Sequence, residues 1–166
     1  MADDGTVAYA GASLPADADP ESVHDLPDGC RIIPGLIDVH THGGVGITFG
    51  RGDDLVADLH TYSAWVASTG VTGFLCSVAA PDTGALREMV RVYAESFEAG
   101  GFPGAVPLGL HLEGPYLNPE KKGAFNESWL RGPLLDEVDA LIDVGRGWIR
   151  QMTLAPELPG AFEVAE

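Results

Sequence analysis

Apolar positions along the chain switch between two periods. The stretch GDDLVADLHTYSAWVASTG places Leu55, Leu59, Tyr62 and Val66 at helical spacing, with Asp53 as a cap and Gly70 as a stop. PDTGALREMVRVYAESFEAGG repeats the pattern with Leu86, Met89, Val90, Tyr93 and Phe97, between Asp82 and the Gly100-Gly101 pair. Leu134, Leu135, Val138, Leu141 and Ile142 predict a third helix that ends near Gly145 or Gly147. Around these lie short apolar runs of strand character: RIIPGLIDVH, interrupted by Pro34-Gly35, then VTGFLCSVAA, AVPLGLHLEG and WIRQMTLAPEL. A long loop over 114–133 separates the third run from the third helix, and GAFEVAE reads as the start of one more helix. The first thirty residues are rich in Ala, Asp, Pro and Gly, with strand candidates at 6–10 and around 22–26.

The predicted order is a small β piece, then βαβαβαβ and part of an α. Strict alternation of this kind argues for an α/β fold with a parallel sheet covered by helices. An open doubly wound sheet fits it, and so does the first half of an eightfold barrel. No G-x-G-x-x-G turn follows the first strand, which removes the usual dinucleotide-binding signal.

Composition changes this picture only at its margins. With 45% hydrophobic residues in 166, the chain can bury a real core. A formal net charge of −16 argues against nucleic acid and anionic membrane surfaces as partners. No apolar run approaches the roughly 18 residues of a membrane span. The N-terminus lacks the basic-then-apolar pattern of a secretory signal, so a cytoplasmic protein is expected. The two cysteines, Cys30 and Cys76, form no CxxC, and Cys76 in its apolar run reads as a small core residue. The only two lysines, Lys121 and Lys122, are adjacent in the long loop.

Chemistry concentrates at the carboxyl ends of two strands, the end where parallel α/β folds bind ligands. In IDVHTHGG, alternation points Asp38, His40 and His42 to one side, with Val39 and Thr41 on the other. His40 and His42 then have α-carbons about 6.5 Å apart, close enough for both imidazoles to converge on one ion. Gly43-Gly44 turns the chain without bulk beside them. In PLGLHLEG, Leu108, Leu110 and Leu112 share one face, and Gly109, His111 and Glu113 the other. An ionised Glu113 at the tip of an apolar strand needs a cation or strong donors. A metal shared with His40 and His42 meets that need. Asp38 can orient His40, and His111 is either a partner behind the ligands or a satisfied core histidine. His24 and His60 read as exposed or structural. Two imidazoles and a carboxylate suit Zn, Fe or Mn rather than Ca. Such an ion activates water and polarises carbonyls, which points to hydrolysis.

PGLIDVHTHGG resembles the first-strand signature of the amidohydrolase superfamily. GLHLEGPYLNPEKKGAF is similar to the third-strand block of its N-acetylglucosamine-6-phosphate deacetylase family, and MTLAPEL to the fourth strand. The resemblance implies a partial (β/α)8 TIM-type barrel, about the first four strands, over 33–166. It makes 1–32 a remnant of a small flanking β-sandwich domain and linker. It implies metal-dependent deacetylation of N-acetylglucosamine 6-phosphate to glucosamine 6-phosphate and acetate, with one or two divalent ions. Glu113 matches the most consistent metal ligand, and His40 and His42 the ligands of a second site that some members retain. Ala124 and Phe125 fall at substrate-contacting positions. Members usually carry His where this chain has Phe125; Phe cannot donate a hydrogen bond, and losing such a donor costs about a hundredfold in rate. The remaining metal-binding histidines and the general acid/base Asp are expected beyond this chain, which reads as an N-terminal part without a complete active site. A homodimer is implied for the full-length enzyme. A dihydroorotase-like or deaminase-like amidohydrolase, or a catalytically inert metal-binding module, are the alternatives.

Overall fold

The computed structural model describes residues 11, 13, 15, 16, 19, 21 and 23–166. The chain divides into two compact units, Met1–Pro34 and Gly35–Glu166. In the first, the strand candidate at 6–10 lies outside the described residues. The described part of the second candidate, 23–26, is not a strand. Its two apolar residues, Val23 and Leu26, are separated by His24-Asp25 and followed by Pro27, which has no N–H to pair.

The second unit is α/β. Its elements run β1 (Leu36–Thr41), β2 (Gly43–Gly44), β3 (Ile47–Thr48), α1 (Leu55–Ala67), β4 (Val71–Val78), α2 (Thr83–Ala99), β5 (Val106–Glu113), α3 (Leu135–Gly145), β6 (Ile149–Thr153) and α4 (Ala161–Ala165). The sheet order is β1-β4-β5-β6 and every pairing is parallel, so each strand is laid beside the one before it with a helix between. All four carboxyl ends therefore share one rim. The small β2–β3 hairpin is antiparallel and follows β1 directly. Its two-residue loop, Val45-Gly46, has positive φ at both positions (52° and 85°), as a tight hairpin turn requires.

Local chemistry sets the helix ends. Asp82 caps α2 by accepting from the N–H of Ala85, and Gly100 ends it at φ 67°. The α1 cap is Asp54 rather than the expected Asp53; its carboxylate accepts from the N–H groups of Val56 and Ala57. All five predicted apolar positions of α2 are buried, as are Leu59, Tyr62 and Val66 of α1. The third helix differs from the sequence pattern. Val138 and Leu141 are buried, but Leu134, Leu135 and Ile142 are 60%, 51% and 56% exposed. Its apolar stripe is wider than the face it packs against α2.

The core lies between these helices and one face of the sheet, supplied by Phe74, Cys76 and Val78 of β4 and Leu110 and Leu112 of β5. Phe49, after the β2–β3 hairpin, packs edge-on to Tyr62 at 4.8 Å and so joins the hairpin to the core. The long loop is pinned by a partly buried pair: the Arg131 guanidinium donates to both oxygens of the buried Glu137 in α3, and Thr83 of α2 donates to the same carboxylate at 2.8 Å. Burial pushes the Glu137 carboxyl up, but the hydrogen bonds from Arg131 and Thr83 outweigh it and hold the group below its usual value. No helix among the described residues is long and apolar enough to cross a membrane.

Leu110→Ala should cost about 2–5 kcal/mol in equilibrium urea unfolding, because the side chain is wholly enclosed. A carboxyl whose folded pKa is lowered stabilises above the unfolded value and loses that contribution as pH falls through the folded one. Stability should therefore drop with acidification below about pH 4.3. Glu137→Gln should cost about 3 kcal/mol at pH 7 by stranding Arg131, and should flatten the acid limb. An unchanged acid limb in that variant would remove Glu137 as its source.

Candidate metal centre

β1 and β5 are not neighbours; β4 runs between them. Their tips nevertheless bring three ligand-type side chains together. His40 Nε2 lies 3.5 Å from Glu113 Oε1, and His42 Nε2 lies 3.0 Å from Glu113 Oε2. One donor atom from each of the three lies within 4.8 Å of the others, and no other such group of His, Cys, Asp and Glu occurs among the described residues. The donors of a tetrahedral ion with ligand bonds near 2.05 Å stand about 3.3 Å apart. Both nitrogen–oxygen separations straddle that figure, so the donor set fits a borderline divalent metal. The two imidazole side chains are about half exposed (49% and 47%) and Glu113 is 25% exposed, so the cluster opens to solvent on one side.

Behind it the site is closed. His111 is fully buried, with Nδ1 2.9 Å from Ser77 Oγ and Nε2 2.7 Å from Thr153 Oγ1. Both ring nitrogens are thus satisfied by hydroxyls, and burial, then His40, pushes the imidazole pKa down. Its ring stands edge-on to His40 at 4.7 Å, so this satisfied core histidine also backs a ligand-type ring. Asp38 does not orient the His40 ring: its Oδ1 accepts the backbone N–H of His40 at 3.1 Å, within β1. His60 stacks on Phe102 at 4.9 Å, away from the cluster, and His24 is exposed.

The loop after β5 walls a cavity of about 810 Å³ in front of His42 and Glu113. Gly114 turns at φ 69°, and its N–H donates to the Thr153 carbonyl at 3.0 Å. An alanine methyl there would meet Leu117 Cγ and Phe125 Cζ at 3.2 Å. Ala124 and Phe125 both line the cavity, with the Phe125 ring edge-on to Trp129 at 6.0 Å. Lys122 Nζ donates to the Phe125 carbonyl at 2.9 Å. Sequence reasoning did not single out Arg51 or Trp129, which line the same cavity from opposite sides of the chain. A smaller apolar cleft, of about 390 Å³, lies elsewhere, along β6, α3 and α4, and carries no ligand-type cluster.

No family model matches the chain. Among curated proteins it is 37% identical to the N-acetylglucosamine-6-phosphate deacetylase of Bos taurus over 143 residues, covering 82% of this chain and 34% of that protein. A stretch of that extent in a 166-residue chain necessarily contains its middle, and with it His40, His42 and Glu113. This chain is related to N-acetylglucosamine-6-phosphate deacetylases over most of its length. The solved deacetylase from Mycobacterium smegmatis is 33% identical, with a TM-score of 0.68 over 78% of this chain and 35% of its own. The Thermotoga maritima deacetylase gives 30% and 0.64 over 79% and 33%. An N-acetylgalactosamine-6-phosphate deacetylase of Escherichia coli O157:H7 is 34% identical over 136 residues. The chain spans about a third of the length of the deacetylases it matches.

Because a β-carbon at Gly114 is opposed both by its backbone conformation and by the Leu117 and Phe125 side chains, Gly114→Ala should lower stability by about 1–2 kcal/mol. The same change should shift Trp129 emission as Phe125 is pushed against it; an unaltered spectrum would show that the wall does not depend on this turn.

Proposed function

We propose that the polypeptide carrying this chain hydrolyses the acetamide of N-acetylglucosamine 6-phosphate to glucosamine 6-phosphate and acetate. In this reading the chain supplies about the first four strands of a (β/α)8 barrel over 33–166, with 1–32 as part of a small β domain. The observation that carries it is the meeting of His40, His42 and Glu113 on the carboxyl rim of a parallel sheet, within the stretch shared with deacetylases. A solved complex of a Mycobacterium smegmatis deacetylase mutant with N-acetyl-D-glucosamine-6-phosphate supports the same substrate class.

Glu113, His40 and His42 are the residues that would hold one or two divalent ions, Zn, Fe or Mn by donor type. When bound, such an ion supplies the Lewis acidity that activates water and polarises an amide carbonyl. The chain's own residues do the rest of what falls to it. His111 fixes the His40 ring from behind. Leu117, Phe125 and Trp129 give the cavity an apolar wall that limits water around a sugar, and Ala124 leaves room beside them. Phe125 has no hydrogen to donate to the amide oxygen, so polarisation of that oxygen falls to other groups. The Escherichia coli O157:H7 relative supports a second reading, in which the C4 epimer is accepted.

Acetate release from N-acetylglucosamine 6-phosphate and from N-acetylgalactosamine 6-phosphate by the purified polypeptide tests the assignment; turnover of a cyclic amide with neither sugar would overturn it. Separately, Glu113→Gln should lower bound zinc by about tenfold or more in elemental analysis after reloading. Unchanged metal content would refute the ligand role.

A further inference from the structure

Ser77, His111 and Thr153 are joined by two hydrogen bonds that run from the interior to the cavity in front of Glu113. Ser77 of β4 and His111 of β5 are register partners, and both are fully buried. Thr153 of β6 is the register partner of Glu113, two residues nearer the rim than Gln151, the partner of His111. It supplies the one hydroxyl among the residues that line the cavity. Ser77 Oγ lies 2.9 Å from His111 Nδ1, and His111 Nε2 lies 2.7 Å from Thr153 Oγ1.

Heavy-atom positions leave the direction of both bonds open, but the hydrogens can be counted. Burial, then His40, keeps the ring neutral, so it carries one N–H and one bare nitrogen. With the proton on Nδ1, the ring would donate to Ser77, and Thr153 would donate to Nε2. The Ser77 O–H would then need an acceptor of its own. His111 is its only hydrogen-bond partner among the described residues, and the side chain is closed to solvent. A buried hydroxyl hydrogen with no acceptor loses its hydration and gains nothing in exchange.

With the proton on Nε2, every enclosed hydrogen is used. Ser77 donates to the bare Nδ1, and Nε2–H donates to Thr153 Oγ1. The hydrogen left over is that of Thr153, which no acceptor takes among the described residues. It stands at the cavity, where solvent or a ligand can receive it. A hydroxyl that already accepts an N–H is polarised by it and donates more strongly. Phe125, on the wall of the same cavity, has no hydrogen to give.

We propose that Ser77 fixes the Nε2–H tautomer of His111 and so makes Thr153 a hydrogen-bond donor to the acetamide oxygen of the sugar beside Glu113. This rests on the deacetylase reading of the cavity. Thr153 is the residue that touches the ligand; His111 and Ser77 act through it and are positioning residues.

Long-range nitrogen–proton NMR correlation of the histidine-labelled polypeptide reads the tautomer, with His111→Gln assigning the signal. The Nε2–H form is expected. The Nδ1–H form would overturn the proposal, because Thr153 would then spend its hydrogen on the ring. Acetate release from N-acetylglucosamine 6-phosphate, with bound zinc measured alongside, reads the donor. Thr153→Val should lower kcat about a hundredfold, with less than about threefold change in KM and zinc content unchanged. Thr153→Ser should restore most of the rate. An unchanged kcat in Thr153→Val would overturn the donor role, as would a Thr153→Ser variant equally slow. Loss of zinc in Thr153→Val would make Thr153 a prop for His111 and the His40 ring, and would overturn it too. If the unsubstituted polypeptide releases no acetate, the deacetylase reading falls and the Thr153 role with it, whichever tautomer His111 holds.

Discussion

Two strand spacings, about 9.6 Å, separate β1 from β5, and the ligand cluster exists only because side chains from both meet above the strand between them. That geometry constrains β4 more than the ligands themselves. On the face that carries His111 and Glu113, β4 offers Ser77, spent on His111, and Ala79 follows at the rim of the cavity. A bulky residue there would stand where the imidazoles and the carboxylate must approach. The opposite face of the same strand bears Phe74, Cys76 and Val78 and anchors the core. Leu75 lies on the site face one layer deeper, so the strand is large where it faces the helices and small only at the rim, beside the ligands. The pleat's period of two keeps those demands apart.

Much of this was legible in the sequence, and the exceptions have physical causes. Helix α2 was readable because its cap and apolar face agreed, α1 from its apolar face, and β4 and β5 because apolar runs ended at glycine and proline. The pairing of His40 and His42 with Glu113 could be anticipated from alternation plus the cost of an isolated carboxylate. The β2–β3 hairpin could not, since two strands of two residues each leave no period to detect. Its Val45-Gly46 turn also lacks the Asn-Gly or Asp-Gly signature. Asp53 and Asp54 are equivalent in composition, and only backbone geometry selects Asp54 as the cap. The contact of Arg51 with Trp129 joins a hairpin to a distant loop, and no local pattern encodes it.

The long loop has little regular structure, only short 3₁₀ turns at Pro119–Lys121 and Glu127–Trp129, yet it keeps a defined path. Its hold comes from its ends and corners. Gly114 is bonded to β6, the Tyr116 carbonyl receives the N–H of Ala155, and Arg131 is clamped to α3. Asn118 and Asn126 each cap a turn by accepting from the N–H two residues on. The wall is therefore positioned by polar anchors, two of them, Lys122 and Asn126, on the cavity side, while Ala124 and the Phe125 ring make none of these hydrogen bonds.

Position 125 shows what that division allows. Lys122 grips its carbonyl, not its ring, and a carbonyl is common to every amino acid. Exchanging the side chain at 125 changes what the cavity wall presents while leaving the path of the loop to the backbone. A lineage could thus trade an imidazole for a phenyl ring here without rebuilding the scaffold. The fold treats this position as a replaceable fitting on a fixed mount, open to selection on the ligand alone.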